Sequence, residues 1–206
     1  MKYMGFEKGV ISMNDKISAI REIENFLKSS DKCLLLTGTH IDEKHKLIMA
    51  VLDHNYKEKL ILFRAPSLPD IDNEHILGWV DIDNRNRKQF LNGGKRRIGK
   101  NIYECDGISS PSSWHHTSYQ FEFAICLLGK LSHDNKRQIE AIDNLFKDKQ
   151  VRKIFLVTNV DPANNNYAVL NKYNPKMIAY DAEADNPDKH NHILDMVNNE
   201  GYEYGI

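Results

Sequence analysis

The chain has 206 residues, with 28 Lys and Arg against 29 Asp and Glu and a formal net charge of -1. That balance excludes a histone-like or polybasic protein while leaving room for a local basic patch. Hydrophobic residues make up 41% and aromatics 9%, enough for a real core, which excludes collagen-like, mucin-like and wholly disordered chains.

Met1 to Ile11 is short, contains glycine and has no period, and reads as an N-terminal arm or a peripheral strand. Asn14 stands where it can cap a helix over Asp15–Lys28, whose Ile17, Ile20, Ile23, Phe26 and Leu27 share one face. Cys33-Leu34-Leu35-Leu36-Thr37 is a continuous apolar run of strand length, the pattern of a parallel strand covered on both faces. After the turn Gly38–His40 a helix is expected over Asp42–Asp53, then a strand over Leu60–Phe63. Pro66 and Pro69 open the least regular stretch, 66–118, which reads as insertion-like. Within it lie a short strand candidate over Gly78–Asp83, a basic segment around Gly93-Gly94, a strand candidate over Asn101–Cys105 and the Ser-rich loop Ser109–Ser118. Further elements follow: a strand over Tyr119–Leu128, a helix over Lys136–Asp148, a strand over Lys153–Val157, a short helix ending at Tyr173, a strand over Met177–Tyr180 and a helix over Pro187–Asn199.

Strands and helices that alternate in this way predict a single α/β domain over 1–206. Its architecture is three-layer, a mainly parallel sheet with helices on both faces. The apolar runs are far too short to cross a bilayer, so no membrane is expected. The first ten residues have no apolar h-region of a secretory signal. Three cysteines, Cys33, Cys105 and Cys126, cannot complete a disulfide framework in one chain and read as reduced and buried. A cytoplasmic protein is expected, and the abundance of Asn, Lys and Ile suits an AT-rich bacterial genome.

In an open α/β sheet ligands bind beyond the carboxyl ends of the strands, at a switch point. That rule nominates Thr37–His45, Asp106–Ser110, Leu128–Asp134 and Thr158–Asp161. The first reads Gly38-Thr39-His40-Ile41-Asp42-Glu43-Lys44-His45 between an apolar strand and a helix. On the pattern G-x-x-x-x-G-K-[ST], Gly38 takes the first glycine and Lys44 the lysine. Glu43 replaces the second glycine, and His45 stands where a hydroxyl would hold Mg²⁺. On these residues the chain resembles a degenerate P-loop NTPase of small-GTPase-like element order. A late strand in GTP-binding domains runs into [NT]-K-x-D; here Thr158-Asn159-Val160-Asp161 keeps Thr158 and Asp161 and replaces the lysine. Asp106-Gly107 stands for D-x-x-G at another spacing. The resemblance implies a nucleotide, with Mg²⁺, held by Gly38, Thr39, His40, Lys44, Thr158 and Asp161, and poor or absent hydrolysis.

Other chemistries compete. Asp42 and His45 share a helix face and are zinc- or manganese-type ligands, which would suit a metal-dependent nuclease or phosphoesterase. Asp42 as a helix cap is the simpler reading. Trp114-His115-His116 in the Ser-rich loop suits a lid, or an anchor for that loop. Lys95, Arg96 and Arg97, the centre of the basic segment, are expected on an exposed mobile loop where they can track nucleic-acid phosphates. The acidic end, Asp181 to Glu203, opposite in charge to the basic segment, suits head-to-tail homo-oligomers or intramolecular docking. Three readings result: a phosphate- or nucleotide-binding protein in a regulatory or adaptor role, a metal-dependent phosphoesterase, or a protein interaction module without ligand chemistry.

Overall fold

The apolar run Cys33–Thr37 forms strand β1, and its Leu34, Leu35 and Leu36 are all fully buried. Six further strands lie among the described residues: β2 Leu60–Ala65, β3 Arg96–Ile98, β4 Asn101–Gly107, β5 Gln120–Leu128, β6 Gln150–Thr158 and β7 Lys176–Ala179. They make one sheet in the order β3-β4-β2-β5-β6-β1-β7. Every neighbouring pair is parallel except β3 with β4. The computed structural model describes residues 14–72, 75–78, 90, 93–129, 135–158 and 167–199.

The register explains why the central strands are apolar without alternation. Leu35 lies between Leu156 of β6 and Met177 of β7, and Ile125 between Phe63 and Phe155. Side chains of a strand alternate between faces, so a strand covered on both sides must be apolar at every position. One face carries Leu34, Leu36, Phe63, Phe123 and Phe155, covered by helices α1 (Lys16–Lys28) and α2 (Lys44–Asn55). Phe26 of α1 meets Phe155 edge-on at 5.3 Å. The other face carries Leu35, Leu62, Ala124, Cys126 and Leu156, covered by α3 (Lys136–Lys147) and by Leu170 of the 3₁₀ turn Tyr167–Tyr173. The fold is therefore the three-layer α/β arrangement expected. A fourth helix, α4 (Pro187–Asn199), follows β7 and buries Ile193.

Several local expectations change. Asp15, not Asn14, caps α1 by accepting from the Ser18 N–H at 2.7 Å, while Asn14 donates to Asp181. Lys153 of β6 closes the other end of α1, its ammonium donating to the carbonyls of Phe26, Ser29 and Asp31. Cation donors at a helix C-terminus satisfy carbonyls left without intrahelical partners. Arg96 and Arg97 lie on the edge strand β3, with Lys95 just before it, rather than on a mobile loop. The backbone bonds of β4 hold them there. Part of the insertion-like stretch 66–118 is thus sheet, since β4 is a parallel neighbour of β2. The strand expected over Gly78–Asp83 falls, apart from Gly78, outside the described residues. All three cysteines are free and buried. Among the described residues no helix is long and apolar enough to cross a membrane.

Candidate functional site

Chain direction places the site. From β1 the chain leaves into α2 on one face of the sheet, while the chain after β6 reaches Leu170 on the opposite face. β1 and β6 are neighbours, so their carboxyl ends form a switch point, where diverging connections leave a crevice. The residues there are Gly38–Glu43 of the β1–α2 turn, Lys44 at the start of α2 and Thr158 at the end of β6.

Gly38 has φ +104°, and a Cβ there would lie 2.3 Å from the Tyr180 carbonyl oxygen. Only glycine permits both the backbone conformation and that approach. The turn then brings Lys44 back across the crevice. Its ammonium donates to the Gly38 carbonyl at 2.7 Å and to Thr158 Oγ1 at 3.3 Å, and the residue is wholly buried. Burial pushes Lys44 down to about 7, against the pull of the Asp181 and Asp42 carboxylates. Glu43 has φ −103° and ψ −15°, so the turn as built needs no glycine at that position. Its carboxylate accepts from Lys46 at 2.7 Å.

Four backbone N–H groups of this turn have acceptors within the chain. Thr39 N–H donates to Asp181 Oδ1 at 2.9 Å and His40 N–H to the Tyr180 carbonyl at 3.2 Å. Ile41 and Glu43 donate to the carbonyls of Thr39 and His40. Thr39 Oγ1 accepts from the Ala182 N–H at 2.9 Å and lies 2.8 Å from His190 Nδ1. His40 stacks on Tyr180 with ring centroids 4.5 Å apart, and its Nε2 is 3.5 Å from Asp185 Oδ2. Burial lowers the His40 pKa, against the opposing pull of Asp185.

Asp42 and His45 go to different partners. Asp42 accepts from Lys189 of α4 at 3.0 Å instead of capping α2, whose start has no side-chain cap. Burial raises its pKa, but Lys189, His75 and Lys46 outweigh that and hold the carboxyl below its ordinary value. His45 is fully buried, with Nε2 2.9 Å from the Ile76 carbonyl oxygen, and burial pushes it down to about 4. Among the described residues no three His, Cys, Asp or Glu side chains gather into a metal-binding group. Asp161 lies outside the described residues, so Thr158 alone represents its segment at the crevice.

Lys95 and Arg97 face carboxylates rather than open solvent alone. Lys95 is 3.6 Å from Glu104, and Arg97 donates to Glu58 at 2.8 and 3.0 Å. Trp114 is an anchor: its indole N–H donates to the Gly107 carbonyl at 2.8 Å. Beneath it lies a pair that sequence reading misses. Arg64 of β2 and Asp106 of β4 are both fully buried. The Arg64 guanidinium also donates to the Ala141 carbonyl at 2.6 Å and Asn144 Oδ1 at 3.0 Å, and its carbon sits 4.8 Å from the Trp114 ring centre. The available signal was position, since both charges end strand-like apolar runs.

No protein-family model matches the sequence, and no curated protein matches it. Among solved structures, the large terminase from a thermophilic bacteriophage superposes with a TM-score of 0.52 at 9% identity, over 91% of this chain and 50% of the terminase. A structure of that terminase in complex with ADP gives a TM-score of 0.48 at 8% identity, over 90% of this chain and 49% of the other. The chain spans about half the length of the terminase. At this identity the likeness is one of fold, and the two proteins share a mostly parallel α/β architecture.

Proposed function

We propose that the β1–α2 turn binds the phosphates of a nucleotide, with weak or absent hydrolysis, and that the chain acts as a regulatory or adaptor protein. One observation carries this reading: Lys44, on the first turn of α2, reaches back to Gly38 and across to Thr158 at the switch point. A cation there, at the positive end of a helix, is the charge arrangement that phosphate oxygens require. Gly38, Thr39, His40 and Lys44 would hold the phosphates, with Thr158 and Asp161 toward the base and Mg²⁺ as counter-ion. Weak hydrolysis follows from His45, whose Nε2 is engaged by Ile76 and which supplies no hydroxyl for the metal. Lys95, Arg96 and Arg97 would serve a nucleic acid nearby.

A second reading has its own support. The N–H groups of Thr39, His40, Ile41 and Glu43 already have protein acceptors, as they would in an interaction module whose turn binds nothing. Thermal melting with ATP, ADP or GTP, each with and without Mg²⁺ or Mn²⁺, separates the readings. A nucleotide-specific rise in Tm that Lys44→Ala removes is the expected result. A rise with metal alone favours the phosphoesterase, and no rise with any addition favours the interaction module.

A further inference from the structure

The segment that follows β7 lies across the turn and touches it through six residues, one of them Asp185 beside His40. The Tyr180 N–H donates to the Thr37 carbonyl at 3.0 Å, and the Tyr180 carbonyl accepts from His40. The Ala182 N–H donates to Thr39 Oγ1. Lys189 pairs with Asp42 and His190 meets Thr39 Oγ1. Centrally, Asp181 Oδ1 accepts from both Thr39 N–H at 2.9 Å and Thr39 Oγ1 at 3.2 Å, while Oδ2 accepts from Asn14 at 3.0 Å.

A carboxylate that takes a backbone N–H and a hydroxyl from a glycine turn, beside a buried lysine at a helix start, uses groups that a phosphate oxygen would use. We infer that Asp181 is an intrachain stand-in for phosphate: its carboxylate occupies the anion position of the β1–α2 turn, so the segment 180–190 closes the site until it is displaced. This rests on the nucleotide reading and adds its regulation. Like charge forbids Asp181 and a phosphate from sharing the position, so the two compete. The strap is suited to leave. Glu183 to Asp188 are all exposed; Tyr180 and Ala182 are buried and anchor the start of the segment, while Asp181, Lys189 and His190 are held to the turn by these polar contacts. Whatever draws the acidic segment away, such as a basic partner surface, would open the turn to nucleotide. Partner binding and nucleotide binding would then be coupled in both directions.

The test is the affinity of the full chain for ADP and for inorganic pyrophosphate at fixed ionic strength. Wild type, Asp181→Asn, Asp181→Ala and Lys44→Ala are compared by calorimetry. Both Asp181 variants are expected to bind about tenfold more tightly or better, the scale of removing one nearby like charge, and Lys44→Ala to lose binding. Asp181→Asn keeps an acceptor for the Thr39 N–H, so it still reports if Asp181→Ala fails to fold. Amide exchange gives an independent reading: Thr39 loses protection in Asp181→Ala and regains it with pyrophosphate. If wild type binds and the Asp181 variants bind equally or less tightly, the stand-in is wrong and the nucleotide reading stands. If neither wild type nor variants bind, both are wrong.

Discussion

Arg64 and Asp106 face each other across β2 and β4, the guanidinium Nε and Nη2 each 2.6 Å from a different carboxylate oxygen, with no solvent on either side chain. A buried pair of this kind adds little net stability, because desolvation offsets attraction, but removing one partner strands a charge. Arg64→Met and Asp106→Leu are each expected to cost roughly 3–5 kcal/mol in urea unfolding. The double variant should cost clearly less than the sum. Strict additivity would mean that the two side chains act independently.

Lys44 gives a pH dependence of known sign. Its ordinary pKa of 10.5 falls to about 7 in the folded chain. Between those values the unfolded chain holds a proton that the folded chain lacks, so this contribution makes the protein more stable as pH rises, and the penalty is full below about 7. The buried thiols of Cys33 and Cys126, pushed up to about 12 by burial, act in the opposite direction at high pH. They are common to wild type and Lys44→Met, so the stability difference between the two isolates the lysine. That difference should shift in favour of wild type as pH is raised above 7. A flat difference would show a lysine that stays protonated.

Glu43 places a carboxylate beside any phosphate held at the turn, partly neutralised by Lys46. Glu43→Gly should therefore tighten ADP binding, by up to about tenfold if a like-charge contact near the surface is relieved. Lys44→Ala in the same background should abolish it. Equal affinity of wild type and Glu43→Gly would show that the carboxylate points away from the ligand.

The basic cluster calls for a salt titration. Arg97 is shared with Glu58, and Lys95 lies near Glu104, so each offers phosphate less than a full free cation. Replacing Lys95, Arg96 and Arg97 together with Ala should weaken binding to a single-stranded oligonucleotide and flatten the salt slope by less than about 2, the value three free cations would give on a single strand. Binding with an unchanged slope would place the nucleic-acid surface elsewhere.

The layers of this fold were legible because they follow from hydrophobic patterning. Runs such as Leu34–Leu36 and Ile154–Val157 have no polar position to turn outward, so they can only be central strands. The strand β3 was not legible: Arg96, Arg97 and Ile98 are too few and too charged to show a period, and β4 alone imposes their conformation. Nothing in the sequence pairs Arg64 with Asp106, because each finds its counter-charge only after folding. The turn's Gly38 and Lys44 could be named from spacing, whereas the strap could not. Asp181 lies 142 positions from Thr39, and nothing local in either segment announces the contact.

The place of β1 in the sheet also bears on how the chain acquires its structure. Thr37 bonds to Ile178 and Leu36 to Thr158, partners 141 and 122 positions downstream. Strand β1 is therefore synthesised more than a hundred positions before the strands that flank it. Closing loops of that length delays pairing, so refolding is expected to be slow for a domain of this size. Until residues 150–179 arrive, Cys33 to Leu36 is a bare β-prone segment with no charge and no proline, the kind that recruits other chains. Helices α1 and α2 pack together early and can shelter one side of it, Leu34 and Leu36, while Leu35 waits on the other. Yield on refolding should accordingly fall as protein concentration rises, with aggregation seeded at the strand that ends up deepest in the native sheet.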